Sequence, residues 1–450
     1  MNFTLESLAA ALQSMPRCRS LVVGFSGGLD SSVLLHGLHQ LSEQAEFQWS
    51  LRALHINHGM QSDADNWQRH CEHSCKELNI DLAVADVRAD FGESLPGNDV
   101  ENAARKVRYQ AFEENLQADE ALLLAHHLDD QMETLLLRLM RGAGIKGLAG
   151  IPVTRSLGQG FLYRPLLGFE RQQLAEYASA HALRWLQDQS NEDEQFDRNF
   201  IRHTLLPSIA SRWPGYRHSW SKTATLAAES QDLLAELAAI DLGNMATERH
   251  SVIRLEPLLV LSNDRQRNLL RHWLSEIGVP ELGWNRLQQL STEVLRAEAG
   301  SDASLLGDGF QIRRYKQKLY ALKPVPELDP CSQLHWDTHQ DQVFVLPDNG
   351  CLHLRPTTGS GLTLPNGGRL QIRYRQGGES CQLAGRPNKS LKKLLQEHEI
   401  EPWLRNRVPL LYIEDALACI PGVGVAEQFA AKADEPSMQV KWRSPNFSVD

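Results

Sequence analysis

The sequence predicts an α/β protein with a Rossmann-like parallel-sheet domain, then a helical domain and a small α+β carboxyl-terminal domain. Three observations carry this. Apolar strands alternate with amphipathic helices over the first ~150 residues, which implies a parallel sheet covered on both faces. Residues ~215–325 are helical in pattern, as in "ATLAAESQDLLAELAAIDL". After a stretch rich in Pro, Asp and Gln, "LRPTTGSGLTLPNGGRLQIRYRQGGES" turns often and alternates like short strands.

In chain order, Leu21–Phe25, Leu51–Asn57, Asp81–Val87 and Glu120–Ala125 read as buried strands, with helices over 30–42, 64–79, 99–118 and 128–141. Pro165 breaks structure, Leu174–Tyr177 begin another helix, and an acidic loop leads into a helix carrying Arg198 and Arg202. The expected organisation is a catalytic domain over 1–215, a middle domain over 216–325, a linker over 326–364 and a basic carboxyl-terminal domain over 365–450.

The chain has 450 residues, 42% hydrophobic and 23% charged, with a net charge of −10. These values suit a multidomain globular protein and do not advertise a nucleic-acid binder. Apolar runs such as Ala121–Ala125 are too short to span a bilayer, so no membrane partner is expected. The amino terminus lacks the basic and apolar regions of a signal peptide, and a cytoplasmic location is expected. The seven cysteines are scattered, odd in number and without a CxxC, which fits a reducing compartment. "RHCEHSC" places His70, Cys71, His73 and Cys75 on a polar helix, where a structural role outweighs a metal site.

The chemistry begins in "VVGFSGGLDSSV". A strand–Gly–Gly–helix junction presents backbone N–H groups and a helix N-terminus to an anion, and Ser26, Ser31 and Ser32 add hydroxyls. Gly27 and Gly28 allow close backbone approach; Leu29 and Asp30 open the helix. No lysine follows the glycines, so charge on the phosphates calls for Mg²⁺, with Asp30 placed to hold it.

"SGGLDSS" resembles the PP-loop of the N-type ATP pyrophosphatases, which hold the pyrophosphate end of ATP and cleave between the α and β phosphates. The motifs "HINHGM", "ENAARKVRYQAF", "AHHLDDQMETLLLRLMRGAGIKGLAGI", "YRPLL" and "DQSNEDEQFDRNFIRHTLLP" together resemble the bacterial tRNA(Ile)-lysidine synthetases. "RQGGESCQLAGRPNKSLKKLLQEHEIEPWLRNRVPLLY" is similar to the carboxyl-terminal module of their longer members. The resemblance is dense over residues ~20–215 and good over ~365–425. It implies ligation of free L-lysine to C2 of the wobble cytidine in the isoleucine tRNA with a CAU anticodon. ATP would adenylate the base, AMP and pyrophosphate would leave, and decoding would change from AUG to AUA. A homodimer is allowed by the resemblance, not required.

That reaction can be set against the residues. The lysine amine, with a pKa of roughly 10.4, must lose a proton before it attacks. Asp130 and Glu133, three apart on one helix face, could bind the ammonium, and one of them could accept the proton; Asp129 points away. Arg105 and Arg108 could stabilise charge at the α-phosphate, unless Glu101 simply pairs with Arg105 on the surface. Arg198 is the expected contact to the tRNA or the reacting centre, with Arg202 as its alternate. His55 and His58 lie where adenosine binds in this fold, although backbone groups of Ala53–His55 are the better adenine contacts. For the tRNA, Arg369 to Arg407 hold nine basic and four acidic residues, among them Arg369, Arg373, Arg375, Lys389, Lys392, Lys393, Arg405 and Arg407, interleaved with Tyr374 and Trp403.

Three rivals read differently. One is a non-catalytic tRNA-binding protein with a vestigial nucleotide fold, against which the intact Ser26–Ser32 loop and the Asp130/Glu133 pair speak. A tRNA thiolase of the same superfamily would call for paired cysteines near the motifs, and none stands there. An amide-forming synthetase of small metabolites would have no use for a basic carboxyl-terminal module.

Overall fold

The computed structural model describes residues 2–47, 49–57, 59, 64–88, 99–187, 193–298, 303–339, 341–364, 368–447 and 449, with the side chains of 99–102 and 104 outside that description. His58, the Glu101 side chain and part of the acidic loop before Arg198 therefore lie outside the described residues. The chain divides into two compact units, Met1–Leu233 and Leu234–Asp450. Among the described residues no helix is long and apolar enough to cross a membrane.

The first unit opens with α1 (Leu5–Leu12), β1 (Ser20–Gly24), α2 (Leu29–Ser42), β2 (Ser50–Asn57), α3 (Ala64–Glu77) and β3 (Asp81–Asp86). It continues with α4 (Asp99–Glu114), β4 (Glu120–Leu123), α5 (Leu128–Met140), α6 (Ile145–Leu148), β5 (Thr154–Leu157), β6 (Gly160–Tyr163) and α7 (Arg171–Ala180). The sheet order is β3-β2-β1-β4-β6-β5, parallel except for β5, which pairs antiparallel with β6. Successive β1 side chains explain the two covered faces. Leu21 and Val23 join a core with Leu34, Leu38 and Leu174, while Val22 joins Phe112, Leu122 and Leu162 on the other face. After β1 the chain steps outward to β2 and β3, then returns to place β4 on the opposite side of β1. The crevice beyond the carboxyl ends of β1 and β4 is thus the topological switch point, where ligands bind in such sheets.

Beyond α7, a helical run comprises α8 (Asp197–Phe200), a π-turn over Ile201–Leu205, α9 (Leu206–Arg212) and α10 (Tyr216–Gly243). Met132, Leu135 and Leu136 of α5 pack against Ile201, Leu206 and Tyr216, and this small core fixes the run over the acidic end of α5.

In the second unit, α11 (Leu255–Val260), α12 (Asn263–Glu276) and α13 (Trp284–Gln289) pack on an antiparallel sheet around Trp273, Leu270 and Ile312. That sheet runs β7-β10-β9-β8, from β7 (Val252–Arg254), β8 (Ser304–Gly307), β9 (Phe310–Tyr315) and β10 (Lys318–Leu322). The middle region is therefore helical with a four-stranded sheet that its amphipathic helices overshadowed in sequence.

The expected linker over 326–364 needs correction, because β11 (Leu334–Asp337), β12 (Val343–Val345) and β13 (Cys351–Thr358) lie within it. Its turn-forming composition hid short alternating strands whose Trp336, Leu352 and Leu354 are buried. The remaining elements are β14 (Arg369–Arg373), β15 (Ser380–Cys381), β16 (Lys389–Ser390), α14 (Leu391–Glu397), α15 (Pro402–Arg405), β17 (Leu410–Ile413), β18 (Ala416–Ile420), β19 (Gly424–Val425) and β20 (Pro436–Arg443). Sheets β11-β14-β17-β18-β19 and β12-β13-β20 enclose a core around Trp336 and Ile372.

Candidate active site

At the carboxyl end of β1 the chain turns through Ser26 and Gly27 into α2, whose N-cap is Gly28. Gly27 has φ +78°, and a Cβ there would meet Cys71 Sγ at 3.0 Å, so only glycine fits. The Ser26 and Ser31 hydroxyls lie 3.0 Å apart, and Ser31 and Ser32 each donate to Gly28 O at 3.1 and 2.9 Å. Leu186 N donates to Gly27 O at 3.0 Å, tying the segment after α7 to the loop. No side chain caps the N-terminus of α2, so its backbone donors stay available to an anion.

A cavity of about 650 Å³ opens here, lined by Ser26, Gly28, Leu29, Asp30 and Ser31, by His55, and by Arg108 and His126 across from them. Leu54, Ile56, Trp67 and Phe112 supply an apolar wall of the size a purine needs. His55 Nδ1 lies 2.9 Å from Phe25 O and so donates to it, which leaves Nε2 as an acceptor. Burial pushes its pKa down, keeping the ring neutral. Beside it the buried Cys71 thiol is pushed far up by burial, with Cys75 and Glu72 adding to the effect. Packing against the loop is the work of this cysteine.

Asp30 has an orphaned oxygen. Its Oδ1 is buried and accepts no hydrogen bond, while Arg171 Nε stands 3.9 Å away and His127 Nε2 lies 3.7 Å from Oδ2. Burial raises its pKa against the opposing charges of His127 and Arg171. A hard, unsatisfied carboxylate oxygen next to a phosphate loop fits Mg²⁺, which takes few protein ligands and completes its shell with phosphate and water. Among the described residues no group of three or more His, Cys, Asp or Glu side chains could hold a metal without such help.

The acidic end of α5 lies next door, with His127 as the link. His127 caps α5: its backbone N–H donates to Asp130 Oδ2 at 3.0 Å, and its Nδ1 accepts from Asp130 N at 3.4 Å. Its Nε2 is 3.6 Å from Asp130 and 3.7 Å from Asp30. Glu133 is 0% exposed and holds two arginines: Arg198 Nε donates to Oε2 and Arg202 Nε to Oε1, each at 2.6 Å. Arg198 Nη2 also reaches Asp130 Oδ1 at 2.8 Å. Burial opposes ionisation of Asp130, but His127, Arg198 and His126 outweigh it, and the pKa falls to about 2. The π-turn at Ile201–Leu205 lets Arg198 and Arg202 converge on one carboxylate.

The sequence-level assignments fare unequally against this geometry. Ser26, Gly28, Leu29, Asp30, Ser31, His55 and Arg108 line one cavity, while Gly27 and Ser32 shape it from behind. Arg105 does not line it; the guanidinium stacks 5.2 Å over the Tyr109 ring. Asp129 receives Arg217 Nε at 2.8 Å and Arg171 N at 2.9 Å, a tie between helices. Reasoning from sequence assigned no role to His127 or Arg164, although both stand in the motifs quoted above; their partners come from other elements.

The basic module needs a firmer correction. Arg407 is only 3% exposed, donating to Asn349 Oδ1 at 3.2 Å, to Pro326 O at 2.7 Å and to Asp348 O, and it lies over the Phe447 ring. It braces three chain segments and cannot meet a phosphate. Tyr374 is buried against Asn349, and Trp403 packs edge-on to Tyr320, so neither ring is an open stacking platform. Arg373 is taken by Asp415 at 2.8 Å, Lys389 by Glu397 at 2.8 Å, Arg375 by Asn406 at 3.2 Å and Arg405 by Tyr315 at 3.2 Å. Arg369, Lys392 and Lys393 are exposed.

A glycine–serine loop at the switch point, an orphaned acid beside it and a purine-sized cleft define an ATP-binding α/β protein of the PP-loop class, and the PP-loop domain family matches residues 2–209. Residues 254–320 match the TilS substrate binding domain, and residues 370–442 the TilS substrate C-terminal domain. The tRNA(Ile)-lysidine synthase of Coxiella burnetii is 38% identical over 446 residues, covering 98% of this chain and 97% of its own length. That of Pseudomonas aeruginosa is 42% identical over 441 residues, covering 93% and 94%. The chain belongs to the tRNA(Ile)-lysidine synthase family.

Proposed function

We propose that the protein is an ATP-dependent ligase that forms lysidine on a tRNA, joining free L-lysine to C2 of the wobble cytidine of the isoleucine tRNA with a CAU anticodon. One observation carries the mechanistic reading: the phosphate loop with its orphaned Asp30 oxygen sits one histidine away from a buried acid–arginine cluster.

In the first step the C2 oxygen of the base attacks the α-phosphorus of ATP, and pyrophosphate leaves into the loop of Ser26, Gly27, Gly28, Leu29, Asp30, Ser31 and Ser32. Mg²⁺ held by Asp30 would neutralise charge on the departing pyrophosphate. Arg108, which lines the cavity, stabilises charge near the α-phosphate, with Arg105 beside it over Tyr109. In the second step the lysine ammonium gives a proton to solvent and the free amine attacks C2. The C2–O bond breaks with AMP as the leaving group, and the second amine proton passes to solvent. Asp130, held at about 2, is too weak a base to take the amine proton at neutral pH. Its work is electrostatic: with Glu133 it holds Arg198 and Arg202 ready, and those two guanidiniums occupy the acids that the sequence offered to the lysine ammonium. Arg369, Arg386, Lys392 and Lys393 are exposed cations open to tRNA phosphates, while Arg373, Arg375, Lys389 and Arg405 would first have to leave partners.

The test is transfer of radiolabelled lysine to an unmodified CAU-anticodon isoleucine tRNA with ATP and Mg²⁺, scored with AMP and pyrophosphate release. Label on that tRNA and none on methionine tRNA is the expected result. Pyrophosphate release with no lysine transfer would overturn the assignment of the nucleophile.

A further inference from the structure

His126, at the carboxyl end of β4, lines the nucleotide cavity, and its ring is gripped from behind. Arg164 Nε donates to His126 Nδ1 at 3.2 Å. A guanidinium has no lone pair to offer, so Nδ1 must be the acceptor and any proton of the neutral ring must sit on Nε2. Arg164 is itself immobilised: 3% exposed, donating through Nη1 to Pro152 O at 2.6 Å and through Nη2 to Tyr109 OH at 3.3 Å. Tyr109 is held in turn by Arg155, 4.3 Å over its ring, and by Arg105.

We propose that Arg164 is a positioning residue that locks His126 as the neutral Nε2–H tautomer, so that this imidazole serves the cavity as a hydrogen-bond donor to a nucleotide phosphate oxygen and not as a proton acceptor. An acceptor at Nδ1 cannot become an imidazolium without losing the Arg164 bond and placing two cations face to face. The charged groups around the ring are Asp130 from α5, Arg164 after β6, Arg198 from α8 and Arg108 from α4. Burial is the largest influence and lowers the pKa. Asp130 opposes it, the three arginines reinforce it, and the group comes to about 3. The ring therefore keeps one charge state and one tautomer through the whole working pH range. This differs from His127, whose ring faces the carboxylates of Asp30, Asp129 and Asp130.

The donor role rests on the ATP-site reading, whereas the tautomer does not, and two measurements separate them. Long-range ¹H–¹⁵N spectra of the histidine-labelled full-length protein, with the His126 signal assigned by its loss in His126→Gln, are expected to show an Nε2–H imidazole unchanged from pH 5 to 8. In Arg164→Met burial remains but the Nδ1 donor is gone, so the same ring is expected to show a share of the Nδ1–H tautomer. A pure Nε2–H ring in that variant would overturn the positioning role. A wild-type His126 that protonates near pH 6.5, or that carries its proton on Nδ1, overturns the proposal even if Arg164→Met fails to fold. ATP binding then tests the donor. His126→Gln keeps an N–H near the Nε2 position and is expected to bind within about threefold of wild type, while His126→Ala loses about 10- to 100-fold, as for a hydrogen bond to a charged group. Equal binding by His126→Ala and wild type overturns the donor assignment while leaving ATP binding itself intact.

Discussion

Two regions of this molecule are rich in charge, and they use it in opposite ways. At α5, two acids and two arginines converge: Glu133 is completely buried, Asp130 nearly so, and both hold guanidiniums brought from a helical run sixty-five and more residues away. In the carboxyl-terminal module the basic residues are more numerous but dispersed, each tied to a local acid, amide or carbonyl, or left open to solvent. A net count of charge sees only the second region. A count of partners shows that the first concentrates its charge at one point, while part of the second is structural bracing.

The sharpest way to break this contrast is to remove Glu133. Glu133→Ala takes from Arg198 and Arg202 their fully buried partner and leaves them only Asp130, which costs up to about 3–5 kcal/mol of stability. Lysine transfer should fall to background, because the arginines lose their common anchor. Chemical denaturation and the transfer assay check both. Wild-type stability and activity in this variant would mean that the cluster is ornamental.

Asp30 separates function from stability. One of its carboxylate oxygens is buried without a hydrogen-bond partner, and burial raises its pKa. An acid whose folded pKa lies above its unfolded value is most favourable to folding at low pH and loses that advantage as pH rises through the folded value. Asp30→Asn is therefore expected to leave the ligand-free protein as stable at neutral pH or more so, while pyrophosphate release drops about 100-fold or more, as on loss of an electrostatic stabiliser at a reacting phosphate. Asp130 carries the opposite sign. Its lowered pKa contributes stability that is fully present above the ordinary value of 3.8 and is lost as pH falls toward about 2. Acid unfolding of Asp130→Asn should lack that component, worth about 2 kcal/mol.

Arg407 turns the comparison round, being a basic residue of the carboxyl-terminal module that behaves like core. Arg407→Ala should cost about 2–4 kcal/mol, because it empties a buried site and strands Pro326 O and Asp348 O. The salt dependence of tRNA binding should not change in that variant.

Much of this layout was legible in the chain. The strand–helix alternation placed β1 to β4 within a residue or two, and "SGGLDSS" and "AHHLDDQMET" marked the two ends of the site. What escaped was what depends on distant partners. No local pattern says that Arg164, after a hairpin strand, will reach back to His126, or that Arg198 and Arg202 will occupy the acids that seemed open to lysine. The strands of 334–358 escaped for another reason: each is short, and Pro, Asp and Gly around them speak louder than the alternation within them.

The smallest effect is the one that tests the dispersed region on its own terms. Lys392 and Lys393 are adjacent and exposed at the start of α14, and the core beneath them is made by Leu391, Leu394 and Leu395 instead. Replacing both lysines with alanine should leave stability within about 0.5 kcal/mol, as for surface positions away from packing. If the pair meets tRNA phosphate, the slope of log affinity against log salt should shrink by about 1–2. The loss should be the same for isoleucine and methionine tRNA, because phosphate contacts position a nucleic acid without reading its sequence. An unchanged slope would remove these lysines from the RNA surface and leave Arg369 to be tested next. A loss confined to isoleucine tRNA would mean instead that this corner of the module takes part in discrimination, which charge alone cannot do.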